Sequence, residues 1–154
     1  MLALALALAL AGERAALGVW ERWGALRDGE PRRCFAIAQP VAPDGGTDRR
    51  GGFASVAAGA GGSRSVHLRL SRPRGAGAPL TLAIDERRFA MVGDAATARA
   101  PDAATDRAIV AAMRGARAMT VSTLDAAGRT IADTYALAGA ATAIDAAALG
   151  CLKK

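Results

Sequence analysis

The chain has 154 residues, enough for one domain around one hydrophobic core. Hydrophobic residues make up 52% of it and aromatic residues only 4%, which excludes an aromatic core and favours an added constraint such as a disulfide. The net charge is +6, and all but two of the 20 basic residues are arginine, which suits anionic partners but also follows from a biased coding composition.

Residues 1–11 form an apolar run of alternating Leu and Ala, followed by Gly-Glu-Arg at 12–14. A helix of about 11 residues rises about 16 Å, roughly half of a bilayer's hydrocarbon core, so we do not expect a permanent anchor. The Ala-Leu-Ala triplet at 9–11 matches a signal-peptide cleavage site, although no Lys or Arg precedes the run. We therefore predict a signal peptide over 1–11, a periplasmic or secreted product, and a single domain over 12–154.

Export decides how the two cysteines, Cys34 and Cys151, are interpreted. In an oxidising compartment an even number of cysteines predicts a bridge. Their wide separation and small number exclude a Cys-x-x-Cys redox site and a zinc site. Closing so long a loop would stabilise the fold by roughly 4–5 kcal/mol.

After the leader, short alternating runs separated by turn residues predict about seven or eight strands. These runs lie at 17–26, 33–40, 53–59, 65–71, 80–85, 88–93, 118–124 and 129–137. In the second run, Phe35 and Ile37 share one face, opposite Cys34, Ala36 and Ala38.

The fourth run places Val66, Leu68 and Leu70 inward, with His67 and Arg69 outward. The runs at 80–85 and 88–93 predict a hairpin whose first strand points Leu80, Leu82 and Ile84 inward. A second hairpin follows the run at 118–124, with Gly128 supplying the positive φ of its turn.

The periodicity changes to that of a helix after Pro101. Asp102 is the predicted N-cap, Asp106 complements the first turn, and Gly115 stands at the C′ position. The apolar stripe of this helix is Ile109, Val110 and Met113. A short Ala-rich helix then carries Cys151 to the body of the protein. The predicted fold class is mainly β, a β-sandwich or flattened barrel with two short helices covering an open edge.

Few residues support catalysis or metal binding, and we predict no catalytic, cofactor-binding or metal-binding residue. His67 is the only histidine, which removes most Ser-His-Asp and His-metal schemes, and its strand places it outward. Asp102 and Asp106 are better explained by the helix dipole than by a bound cation. The loop from Gly59 to Arg64 loosely resembles a phosphate-binding loop but lacks its Lys-Ser/Thr ending and its helix.

The remaining candidate site is electrostatic. Five arginines fall in Gly-rich loops and would form a basic rim if these loops share one end of the sandwich: Arg49, Arg50, Arg64, Arg72 and Arg74. Such a rim would suit an anionic envelope component, whereas the absence of loop aromatics argues against specific nucleic-acid binding. A solvated charged edge is the simpler interpretation.

The carboxy-terminal half, with its helix, hairpin, Tyr-x-Leu-x-Gly motif from Tyr135 and terminal Cys151, resembles the invasion-associated locus B family of exported alphaproteobacterial proteins. Trp23 and the Cys-x-x-x-x-Gln strand from Cys34 resemble the amino-terminal part of the family pattern. The likeness covers residues 20–151. It lacks the family's cysteine shortly after the tryptophan and the aromatic residue after Gly139.

The resemblance implies a periplasmic or surface-associated β-sandwich without a known enzymatic activity. The leading hypothesis is an exported, non-catalytic envelope protein that binds an anionic or protein partner. The alternative is a small periplasmic hydrolase using carboxylates such as Asp133 or Asp145, which requires a pocket with paired carboxylates. A third hypothesis, a structural or assembly component, predicts one sizeable exposed apolar patch.

Overall fold

The computed structural model describes residues 13–152, and in that range the chain forms ten β-strands and two α-helices. The strands are β1 (Ala15–Trp20), β2 (Trp23–Asp28), β3 (Arg33–Ala38), β4 (Phe53–Ala58), β5 (Arg64–Arg69), β6 (Leu80–Ile84), β7 (Arg87–Met91), β8 (Thr97–Arg99), β9 (Ala118–Leu124) and β10 (Thr130–Ala136). The helices are α1 (Ala103–Met113) and α2 (Ala140–Leu152). The predicted signal peptide lies outside the described residues.

The strands form two antiparallel sheets that pack as a sandwich. The six-stranded sheet has the order β1-β2-β3-β4-β5-β8, and the four-stranded sheet has the order β10-β9-β6-β7. The chain runs as a meander through β5, makes the β6–β7 hairpin of the other sheet, and returns to pair β8 with β5. The predicted fold class is confirmed as a sandwich, and both predicted hairpins are present.

The strand count is higher than predicted because one run was a hairpin and one strand was missed. Residues 17–26 turn sharply at Glu21, whose φ is 54°, so the run splits between β1 and β2. Strand β8 has only three residues, Thr-Ala-Arg, and carries no alternating apolar signal. Its position is fixed by its antiparallel pairing with β5.

The main core lies between the two sheets and contains the predicted inward residues Val66, Leu68, Leu82 and Ile84, all 0–1% exposed. Trp23 on β2 is completely buried, and its Nε1 donates a hydrogen bond of 2.8 Å to the Ala136 carbonyl. Because Ala136 ends a strand of the opposite sheet, this single side chain joins both layers by packing and by a hydrogen bond.

Helix α2 lies on the inner face of the six-stranded sheet, against β1 to β4. Its buried side is mostly alanine, and it meets the small inward residues Cys34, Ala36 and Ala38 of β3. Small side chains on both surfaces let a helix approach a sheet closely while leaving few voids. Its last turn carries Cys151, which forms the predicted disulfide with Cys34 across a Cα–Cα distance of 5.8 Å.

Helix α1 packs against β5 and begins as predicted. The Asp102 carboxylate accepts a hydrogen bond of 2.7 Å from the Thr105 backbone N–H, which satisfies a donor that the first helical turn leaves open. Ile109, Val110 and Met113 form its buried stripe. Gly115 follows the C-cap residue but lacks the left-handed backbone of a glycine helix end. Within residues 13–152, neither helix is long and apolar enough to span a membrane.

Candidate functional site

The loops that carry the five predicted rim arginines do not all share one end of the sandwich. Arg64 is the first residue of β5, opposite Ala58 at the end of β4. Arg49 and Arg50 precede Phe53, which lies opposite Arg69 at the other end of the same pair of strands. Arg64 is therefore separated from Arg49 and Arg50 by the length of β5.

Three of these arginines fix loop conformations. Arg50 pairs with Asp48 at 2.6 Å. Arg72 donates to the Asp125 carboxylate at 3.2 Å and to the Thr130 carbonyl at 2.9 Å, and so ties the loop after β5 to the β9–β10 hairpin.

Arg74 donates two further hydrogen bonds, to the backbone carbonyls of Ala78 and Gly93. Backbone hydrogen bonds from Arg129 and Ala127, together with the charge of Arg129, hold the pKa of Asp125 below its usual range. These arginines stabilise the loops through defined hydrogen bonds, so each has a structural role, and anion binding by the predicted rim stays a prediction.

The two carboxylates of the hydrolase hypothesis lie on different elements and bind protein groups. Asp133 on β10 is 2% exposed and accepts hydrogen bonds from the backbone N–H and the hydroxyl of Ser71. Asp145 on α2 pairs with Arg114 at 2.7 Å, and that hydrogen bond lowers its pKa. Neither carboxylate lines any of the concavities described below. The hydrolase remains an untested hypothesis.

The other polar candidates also have local explanations. The Asp106 carboxylate accepts a hydrogen bond of 2.9 Å from the Val66 backbone N–H, so it joins α1 to β5. His67 is exposed on β5, as predicted. Among residues 13–152, no three His, Cys, Asp or Glu side chains are grouped so as to hold a metal ion.

The solvent-facing side of the six-stranded sheet carries an apolar surface, here called the outer-face patch, formed by Leu26, Phe35, Ile37 and Phe53. The strand registers place these residues on one face: Leu26 lies opposite Phe35. All four are only partly buried, although they are larger than most of the inward residues of β3. This arrangement reverses the usual placement of large residues inside and small residues outside.

Two adjoining concavities shape the outer-face patch. One, of about 520 Å³, is lined by Phe35, Ile37 and Phe53 together with Ser55 and His67. The other, of about 410 Å³, shares Ile37 and Phe53. The shared residues make the two depressions one continuous surface, which crosses β3 and β4 at the centre of the sheet.

Arginines surround this apolar surface. The Arg14 guanidinium lies 5.7 Å from the centre of the Phe35 ring and pairs with Asp28 at 2.7 Å. The hydrogen bond from Arg14 lowers the pKa of Asp28, the single carboxylate among the residues that line the larger concavity. Arg69 lies opposite Phe53, and Arg99 lies opposite His67. The border of the patch is therefore mainly basic.

Comparison with known proteins gives a match at the level of structure. No family model matches the chain, and no curated protein matches it. Among solved structures, the crystal structure of invasion associated protein B from Bartonella henselae is similar, with a TM-score of 0.68 over 91% of this chain and 99% of that chain. The two chains share a fold. Their sequences are 19% identical, so the similarity concerns the fold alone, and it agrees with the resemblance noted in the sequence.

Sequence reasoning missed the outer-face patch as a site, although part of its signal was present. The alternation in β3 correctly placed Phe35 and Ile37 on one face and Cys34 on the other. Size alone would assign the Phe and Ile face to the core. The disulfide and the alanine-rich α2 both lie on the Cys34 face, so that face is buried and the Phe35 and Ile37 face is turned toward solvent.

Proposed function

We propose that this protein is an exported, non-catalytic component of the cell envelope that binds an acidic protein partner through the outer-face patch. The observation that carries the proposal is the combination of partly exposed Phe35, Ile37 and Phe53 with a basic border. Aromatic residues and arginine are enriched at protein–protein interfaces, where an apolar centre is surrounded by a polar rim.

Charge complementarity argues for an acidic partner. Asp28 is paired with Arg14, whereas Arg33, Arg69 and Arg99 form no salt bridge within residues 13–152. Carboxylates placed opposite these guanidinium groups would steer association and fix the orientation of the partner. The apolar centre would supply the binding free energy through its removal from water.

Three observations support a location in the envelope. Residues 1–11 match a signal peptide, and the Cys34–Cys151 disulfide suits an oxidising compartment. The fold is similar to that of invasion associated protein B.

The experiment that tests this function measures binding of the purified protein to isolated envelopes of the cells that encode it. We expect saturable binding that disappears when the envelopes are first treated with protease. Arg69→Glu should weaken it about tenfold or more, because like charges then face each other at the interface. Arg88→Glu is the matched control, since Arg88 is also an exposed strand residue and lies on β7 of the other sheet.

Two results would contradict the proposal. Binding that survives protease treatment would assign the contact to a lipid or glycan. Equal binding by wild type, Arg69→Glu and Arg88→Glu would show that the outer face is not the contact surface.

A further inference from the structure

A second basic surface lies away from the outer-face patch, between the glycine-rich loop at 59–64 and helix α1. A cavity of about 380 Å³ is lined there by Arg64, Arg107 and Arg114, with the backbone of Gly61 and Gly62 on one side. Two chain segments far apart in sequence therefore bring three guanidinium groups to one concavity. The sequence singled out this loop, but the three arginines converge only in the fold.

The loop presents its backbone to this cavity. Gly61 has φ 65° and Gly62 has φ 77°, and a Cβ added to either residue would meet no other atom within 4 Å. Successive backbone N–H groups in turns of this kind form concavities that bind anions. Glycine also lets a ligand approach the main chain closely.

The nearby carboxylates are already engaged by the protein. Asp145 pairs with Arg114, and Asp106 accepts the Val66 N–H. Asp102 caps α1 through the Thr105 N–H. Arg114 is therefore the one arginine of the three that forms a salt bridge among the described residues, although the charges of Arg64 and Arg107 also act on Asp145 and Asp102.

Those two arginines retain unused donors. Arg107 forms no salt bridge within residues 13–152. Arg64 donates through Nη1 to the carbonyls of Gly62 and Ser63, while its buried Nε has no hydrogen-bond partner among the described residues. The contacts of Nη1 hold the guanidinium of Arg64 against the loop, and Nη2, which donates no hydrogen bond among the described residues, remains for a ligand.

We propose that this cavity binds a phosphate monoester, with Arg64 and Arg107 donating to its oxygens and the 59–64 loop closing one side. Guanidinium groups suit this ligand because their paired N–H donors match two phosphate oxygens. The apolar part of the wall, Ala103, Val110 and Ala111, would contact the group that carries the phosphate. The phosphate comes either from a soluble compound or from a lipid headgroup.

The test uses two phosphate monoesters that separate these sources: glycerol 3-phosphate, followed by calorimetry, and phosphatidylcholine vesicles with and without phosphatidic acid, followed by co-sedimentation. We expect binding to at least one probe, and Arg107→Gln should weaken it roughly tenfold or more through loss of charge-assisted hydrogen bonds. Arg107 is exposed, so this variant should keep the circular dichroism spectrum and thermal midpoint of the wild type. Arg88→Gln removes the same charge far from the cavity and should bind like the wild type.

Each outcome decides the proposal. Arg107-dependent binding to glycerol 3-phosphate alone supports it with a soluble phosphate, and Arg107-dependent binding to phosphatidic acid vesicles supports it with a lipid headgroup. The proposal is overturned if neither probe binds, or if Arg107→Gln and Arg88→Gln weaken binding equally.

Discussion

At the scale of single residues, buried polar groups show which hydrogen bonds hold the sandwich. Asp133 accepts two hydrogen bonds from Ser71, which join β10 to the segment after β5. Tyr135, two residues along β10, is fully buried, and its hydroxyl makes no hydrogen bond within the described part of the chain. Burial raises the pKa of Tyr135, and the nearby charges of Asp133 and Asp48 raise it further.

Removing each hydroxyl should therefore have a different effect. Tyr135→Phe should leave the free energy of unfolding unchanged or raise it by up to about 1 kcal/mol, because it removes a buried donor without a partner. Ser71→Ala should lower it by about 1–3 kcal/mol, because the buried Asp133 carboxylate loses a donor. Urea unfolding followed by circular dichroism measures both. A loss above about 1 kcal/mol in Tyr135→Phe would mean that this hydroxyl has a partner.

At the scale of elements, α2 and its disulfide complete the six-stranded sheet. Cys34 is 1% exposed on β3, and Cys151 lies in the last turn of α2. The bridge therefore holds the end of the helix on the inner face of the six-stranded sheet, against β1 to β3. Leu17 of β1 lies beside Gly150 near this end of the helix, and Trp20 lies beside Gly139 at the other end. The bridge thus holds together elements from both ends of the described chain.

Replacing both cysteines, Cys34→Ala with Cys151→Ala, should lower the free energy of unfolding by about 5 kcal/mol, since the unfolded chain regains the entropy of an open loop. Reduced wild type should match the double variant, which serves as the control because reductant cannot affect it further. Urea midpoints with and without reductant measure the effect. Identical midpoints for oxidised and reduced wild type would contradict this role.

The same elements explain how far the sequence could predict the fold. Alternation and turn residues identified the hairpin of β6 and β7, and the Asp102 cap identified the start of α1, because these signals are local. Strand β8 was missed because its pairing with β5 is distant in sequence. The β1–β2 hairpin was missed because its two-residue turn, Glu21-Arg22, contains none of the Gly, Asn or Asp residues that usually signal such a turn. The internal partners of the loop arginines were also beyond the sequence, because Arg72 donates to the carbonyl of Thr130, which is distant in sequence.

At the scale of the whole molecule, one sheet has six strands and the other four, and the outer-face patch lies on the larger sheet. The four-stranded sheet and the two helices cover the inner face of the six-stranded sheet. Its outer face has no layer of described residues above it, which leaves Phe35, Ile37 and Phe53 for a partner. The third sequence hypothesis, a structural or assembly component, predicts one sizeable exposed apolar patch. The outer-face patch is apolar but only partly exposed, so that hypothesis stays a prediction.

The proposed function requires that the protein reaches the envelope and forms its disulfide there. Intact-mass analysis of the protein from its own cells, under non-reducing conditions, tests both requirements at once. We predict a chain that lacks residues 1–11 and has a mass about 2 Da below that of the dithiol form. A product that begins at Met1 and carries two free thiols would contradict the account.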